Sequence, residues 1–170
     1  YLPQHSDAAS EWIARIREEF SIEEVQAWLD RVAALRVVVV GETIIDVYTE
    51  CEALGKASKD PVLCFSRGAS VSHAGGILAV AGHSAGLGTT TTAITGINHR
   101  NQEDPELGLL RERGVDLRSV NIDPLPTIRK ERLIDNRTRA RVLEIYDMDD
   151  SPLPPKAEQD FIQAIRHAAI

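Results

Sequence analysis

Four consecutive valines, Val37 to Val40, run into Gly41 and then a polar turn that reaches Asp46, the whole reading VVVVGETIIDVY through Tyr48. A stretch that is apolar at every position leaves no face for water. It therefore predicts a central strand covered on both sides, most often in a parallel sheet. Gly41 ends the strand in this reading. In open α/β sheets ligands bind beyond the carboxyl ends of the strands, which places Glu42 and Asp46 where chemistry usually sits.

Around that strand the chain alternates. Ser6 is positioned to cap a first helix carrying Ala9, Trp12, Ile13, Ile16 and Phe20 on one face. Ser21 with Glu24 forms a capping box for a second helix, striped by Ile22, Val25, Leu29 and Val32 with Trp28 beside it. These helices either pack on their own domain or dock another domain or subunit. After the valines, Val47 to Cys51 continues extended, LGKASKDP makes a polar loop, and Val62 to Phe65 returns as a second strand. Gly75 and Gly76 open a helix of small residues that Gly86 to Gly88 closes. A glycine pair at a helix start lets a ligand approach the bare amides, and it equally permits tight packing on a sheet. Thr89 to Ile97 predicts a second core strand, Pro105 to Arg113 a short helix ended by Gly114, and Val115 to Val120 a third strand. Strand and helix in alternation give βαβ units and a mainly parallel sheet. From Thr127 to Tyr146 two extended segments flank the turn Asp135-Asn136-Arg137, a hairpin expected to lie outside the main sheet. A last helix is expected from Lys156 to Ala169.

The 170 residues fit a domain with a sizeable core. A formal net charge of -7 argues against nucleic acid and anionic membranes as partners, because both need a basic face. No apolar run approaches the roughly 18 residues of a membrane span, and the first ten residues lack the basic start and apolar centre of a signal peptide. A cytoplasmic protein is the expectation. Cys51 and Cys64 lie outside any CxxC or Cys/His spacing and are expected to be reduced thiols. The GxGxxG dinucleotide fingerprint and the P-loop are both absent, which disfavours a dinucleotide-dependent oxidoreductase.

In order, the chain offers a buried strand into GETIIDVYTECEALGKASKDPVL, the helix start AGGILAVAGHSAGLG, a GVD strand, and PTIRKERLID leading into a hairpin. From about Arg36 to Asp150 this resembles the N-terminal part of ribokinase-like (PfkB) carbohydrate kinases. The branch most similar contains heptose-phosphate kinases of ADP-heptose synthesis and nucleotidyltransferase–sugar-kinase fusions. The resemblance implies a three-layer ribokinase-like α/β fold, a mainly parallel central sheet with a small β lid, residues 36–170 forming the kinase part and residues 1–35 a helical connector. It implies a sugar or sugar-phosphate substrate, with ATP and Mg as the family's cofactors. Asp46 stands where the family holds sugar hydroxyls, and Gly75 and Gly76 where the sugar approaches the backbone. Lys59, Thr127, Lys130 and Arg132 become candidates for the sugar pocket or its lid. Many members carry an asparagine on the helix after the glycine pair, and here Ala79 takes that position.

The basic run Arg129, Lys130, Arg132, Arg137, Arg139 and Arg141 reads either as a solvated hairpin face or as recognition of a phosphorylated sugar. Asp147, Asp149 and Asp150 are assigned no metal. The resembling kinases keep a catalytic aspartate in a GAGD-type segment far downstream, and no such segment occurs in these 170 residues. They are therefore expected, by themselves, neither to bind ATP tightly nor to phosphorylate a sugar. Unpaired lid strands and the family's habit lead to an expected homodimer through the lid. A non-catalytic module that dimerises, or docks a fused nucleotidyltransferase, is the alternative.

Overall fold

The computed structural model of the chain describes residues 6–168. The first residues of the stretch read for a signal peptide, and Ala169 at the end of the last expected helix, lie outside that range. Two helices come first, α1 (Asp7–Glu19) and α2 (Ile22–Ala33). Ser6 caps α1 by accepting the Ala9 N–H, and Ser21 and Glu24 complete the capping box of α2, both as expected. None of the residues of either helix is buried. Phe20 and Trp28 meet edge to face, with ring centroids 5.0 Å apart, while Ile22 remains 74% exposed.

The body is organised on β1 (Arg36–Lys56), a single strand of 21 residues. Its first part, Arg36 to Glu42, pairs in parallel with β3 (Thr90–Ile97), which pairs in parallel with β4 (Asp116–Asn121). From Ile44 onward the partners change. β2 (Leu63–Gly75) runs antiparallel along it to Lys56, and β5 (Ile128–Asp135) runs parallel to it from Ile44 to Cys51. β6 (Arg141–Asp147) closes the order β4-β3-β1-β5-β6 by pairing antiparallel with β5. Three of these pairings are parallel and two antiparallel, a mixed α/β sheet with a β lid built on the second half of β1.

Three expectations change at this level. Gly41 does not end the strand, because β1 takes up new partners only three residues later and stays extended. The valine run is not covered on both sides: Val37 and Val39 are half-buried, but Val38 and Val40 are 41% and 48% exposed. The cause is that Arg36 to Glu42 has β3 as its one strand neighbour, while the fully covered strand is β3, where Ala93, Ile94, Thr95 and Ile97 are sealed. The hairpin of β5 and β6 is antiparallel as read, yet it is continuous with the main sheet through β1 rather than separate from it.

Helices α3 (Gly76–Gly86) and α4 (Pro105–Glu112) cover one face, and α5 (Pro155–Ala168) covers β3 and β4 on the other. The larger core joins Ile77, Leu78 and Ala81 of α3 to Ile45 and Val47 of β1, Ala93 and Ile97 of β3, and Leu107 and Leu110 of α4. A smaller one joins Val120, Ile122 and Ala157, with Phe161 packed against it. At Gly96 a Cβ would come within 2.6 Å of Ile122 Cγ2, so the approach of β3 to this layer depends on a missing side chain. Among the described residues no helix is long and apolar enough to cross a membrane.

Candidate functional site

Strand alternation sorts β1 into two faces. Ile45, Val47, Thr49 and Cys51 point inward and are buried, whereas Ile44, Asp46, Tyr48 and Glu50 point the other way. The register then brings Asp46 opposite His73 of β2 on one side and Lys130 of β5 on the other, and Tyr48 opposite Arg132. In turn Lys130 faces Tyr146 and Arg132 faces Glu144 of β6. One polar face thus gathers side chains from four strands.

Arg132 is its hub. Its Nη1 donates to Asp46 Oδ1 at 2.5 Å, its Nε donates to Glu144 Oε1 at 3.1 Å, and its guanidinium lies 5.3 Å from the Tyr48 ring centre. The bond to Asp46 first, and the nearby negative charge of Asp46 and Glu144, push the Arg132 pKa up. Glu144 also accepts the Tyr146 hydroxyl, and that bond, ahead of the attraction of Arg132, holds its carboxyl below the usual range. Lys130 Nζ sits 5.1 Å from the centre of the Tyr146 ring and makes no ion pair among the described residues. His73 meets Tyr48 edge to face at 5.6 Å.

Asp46 is also pressed against the foot of α3. A Cβ at Gly75 would collide with Asp46 Oδ2 and come within 3.2 Å of the Ile44 carbonyl oxygen. Gly75 is the N-cap of α3, and Gly76 follows with φ +51°, where a Cβ would meet the Glu42 carbonyl oxygen at 2.7 Å. The two glycines let β1 and the helix start close on the carboxylate, which brings Asp46 and Gly75 together. On the same face of β1, toward the main sheet, a cavity of about 380 Å³ opens beside Glu42, Gly96, Ile128, Asp149 and Phe161.

The other candidates are placed differently. Thr127 is buried and its hydroxyl accepts the Asn98 N–H at 2.9 Å, which fixes the start of β5. Lys59 is exposed in the turn beyond β1, ten strand residues from Asp46 to Lys56, about 30 Å at the rise of a strand. The fold therefore does not bring Lys59 to Asp46. Ala79 lines a cavity between α3 and α4 together with Leu109 and Leu110. Much of the basic run is already paired with acids: Arg137 with Glu52, Arg139 with Glu50, Arg129 with Asp104 at 3.8 Å. Tyr48, His73, Glu144 and Tyr146 also belong to the polar face, and no sequence motif marks them for it. Both cysteines are free, and burial of Cys51, with Asp135 nearby, pushes its thiol pKa up.

Chemically, the face offers a charge-balanced set of two carboxylates and two cations, able to accept hydroxyl donors and to attract an anionic substituent. A site for Mg-ATP needs a different donor set. Among the described residues no group of three or more His, Cys, Asp or Glu side chains is placed to hold a metal ion.

No protein-family model and no curated protein sequence matches the chain. Solved structures do. Phosphofructokinase-2 from Escherichia coli, in complex with substrates and products, is similar at 17% identity and a TM-score of 0.55, over 78% of this chain and 41% of that one. The same enzyme with fructose-6-phosphate gives 15% identity and a TM-score of 0.55, over 78% and 42%. A Clostridium perfringens protein provisionally assigned as a sugar kinase gives 16% identity and a TM-score of 0.50, over 78% and 40%. The chain thus spans about two fifths of the length of these neighbours, and the likeness is one of fold.

Proposed function

From this ribokinase-like α/β fold and the polar face on its lid, we propose that the chain is the N-terminal, sugar-binding part of an ATP-dependent carbohydrate kinase. The observation that carries the reading is the Asp46 carboxylate, set against the side-chain-free Gly75 backbone and oriented by Arg132. Such a carboxylate suits a sugar because each of its oxygens accepts strong hydrogen bonds from hydroxyl donors. Gly75 and Gly76 let the backbone at the start of α3 come up against that carboxylate, and the sugar is read to lie beside the pair. Lys130, which has no carboxylate partner among the described residues, takes the phosphate when the substrate is a sugar phosphate, a heptose phosphate among those to be tried. ATP supplies the phosphoryl group in this reading, and the residues described here bind and orient the acceptor.

Calorimetric titration with sugars and sugar phosphates tests the assignment. Asp46→Asn keeps the shape of the side chain and removes its charge. A lost charged hydrogen bond costs roughly 1.5 to 3 kcal/mol, about tenfold to a hundredfold in affinity. Unchanged sugar affinity in the folded variant would sink the reading. A coupled assay for sugar-dependent ADP release, run alongside, shows whether a base for phosphoryl transfer is also present.

The assembly proposed is a homodimer through the lid, supported by the exposure of Leu143 and Ile145. One observation favours the non-catalytic alternative: α1 and α2 bury none of their residues and leave Trp12, Ile22 and Leu29 exposed, as a connector docking a fused nucleotidyltransferase would. Binding of no sugar at all, with association retained, would favour that module.

A further inference from the structure

On the helical face, opposite the one that carries Asp46, β2, α3 and α4 enclose a cavity of about 260 Å³. Its walls set Leu78 of α3 and Leu109 and Leu110 of α4 beside the polar residues Ser72, His73 and His83. Glu106, in the first turn of α4, also lines it and is 6% exposed. Among the described residues nothing donates a hydrogen bond to the Glu106 carboxylate and no cation pairs with it, although the other strongly buried acid, Asp135, accepts three hydrogen bonds. Among the described residues no buried side-chain oxygen lacks a partner, so the Glu106 carboxylate, which accepts no hydrogen bond, keeps contact with solvent where it lines the cavity. At the rim stands Arg113, whose Nη1 lies 3.6 Å from where a Cβ of Gly82 would be, and which also has no acidic partner among the described residues.

We propose that this cavity is a second small-molecule site, which receives the protonated amine of a small organic ligand at Glu106, with the ligand's apolar portion against Leu78 and Leu109. The chemistry follows from the walls. An alkylammonium supplies the donors and the charge that pair with Glu106, and its carbon chain packs against the leucines. Two sources share that chemistry, simple alkylamines and ω-amino acids. Arg113 at the rim favours the second, because it meets a carboxylate at the far end.

The test uses the full chain with n-butylamine, 5-aminopentanoate and, as control, pentanoate. Saturable calorimetric heat and a rise in thermal midpoint are expected with both amines and not with pentanoate. Glu106→Gln should weaken both amines about tenfold or more, and Arg113→Ala should weaken 5-aminopentanoate alone if the amino acid is the better ligand. Leu109→Trp, which narrows the mouth without touching Glu106, should also reduce amine binding and serves if Glu106→Gln does not fold. The proposal is overturned if neither amine binds up to about 10 mM, if Glu106→Gln binds amines as the parent does, or if Leu109→Trp leaves amine binding intact.

Discussion

At Gly75 the backbone, with φ -114°, is open to any residue, so the demand for glycine is purely one of space. Gly75→Ala would thrust a methyl group into Asp46 Oδ2, with the Ile44 carbonyl oxygen closing the other side. We expect about 1 to 3 kcal/mol of destabilisation by denaturant unfolding, with sugar affinity lost alongside as Asp46 is displaced. A Gly75→Ala protein as stable and as competent as the parent would contradict the geometry. A second residue-scale case is Asp135, which accepts the backbone N–H groups of Thr138 and Arg137 and the Thr138 hydroxyl at the β5–β6 turn. The Thr138 bonds lead the causes that hold its carboxyl below the ordinary 3.8. A depressed folded pKa means the stabilisation is complete above the unfolded value and is lost as pH falls through the folded one. Stability should therefore fall below about pH 4, and Asp135→Asn should flatten that part of the profile; an unchanged acid limb would show that the turn does not depend on this charge. Asp46 and Gly75 were legible in the sequence because a local motif surrounds each of them. Tyr48, His73 and Glu144 were not singled out, because only the register of four strands brings them to Asp46.

Elements were legible to the degree that their signals were local. The capping box of α2, the glycine pair opening α3, Pro105 starting α4 and Gly114 ending it all act through neighbours within a few residues. β1 was misread at Gly41 because its continuation depends on partners that arrive from distant parts of the chain, β2, β3 and β5. The join between its two halves is secured by hydroxyls rather than by the valines. Thr95 Oγ1 donates to the Gly41 carbonyl at 2.8 Å and lies 2.8 Å from Thr43 Oγ1, and both threonines are buried. Thr95→Val keeps the shape and the β-branched preference of the strand but strands these two partners. A cost of about 1 to 3 kcal/mol is expected, read as a lower denaturation midpoint with unchanged slope. A neutral Thr95→Val would mean that the hydroxyl pair contributes only packing.

For the whole molecule, the consequential feature is that the lid has two unlike faces. Asp46, Lys130, Arg132, Glu144 and Tyr146 occupy one. Leu133, Leu143 and Ile145 lie on the other, where Glu131 of β5 also pairs with Arg67 of β2. Leu143 and Ile145 are 51% and 46% exposed on a strand that has β5 as its one strand neighbour, so an apolar face and an open edge coincide. A two-fold arrangement covers both at once, because each copy presents the same patch to the other. The proposed dimer therefore leaves the polar face free for ligand. Ile145→Lys places a charge in the centre of that contact without altering the side chains that surround Arg132. Light scattering should give twice the chain mass for the parent and the single mass for Ile145→Lys, with sugar binding kept in the variant. A parent that remains at the single mass as concentration is raised would refute the dimer while leaving the Asp46 site standing, since strand register, not assembly, brings those side chains together.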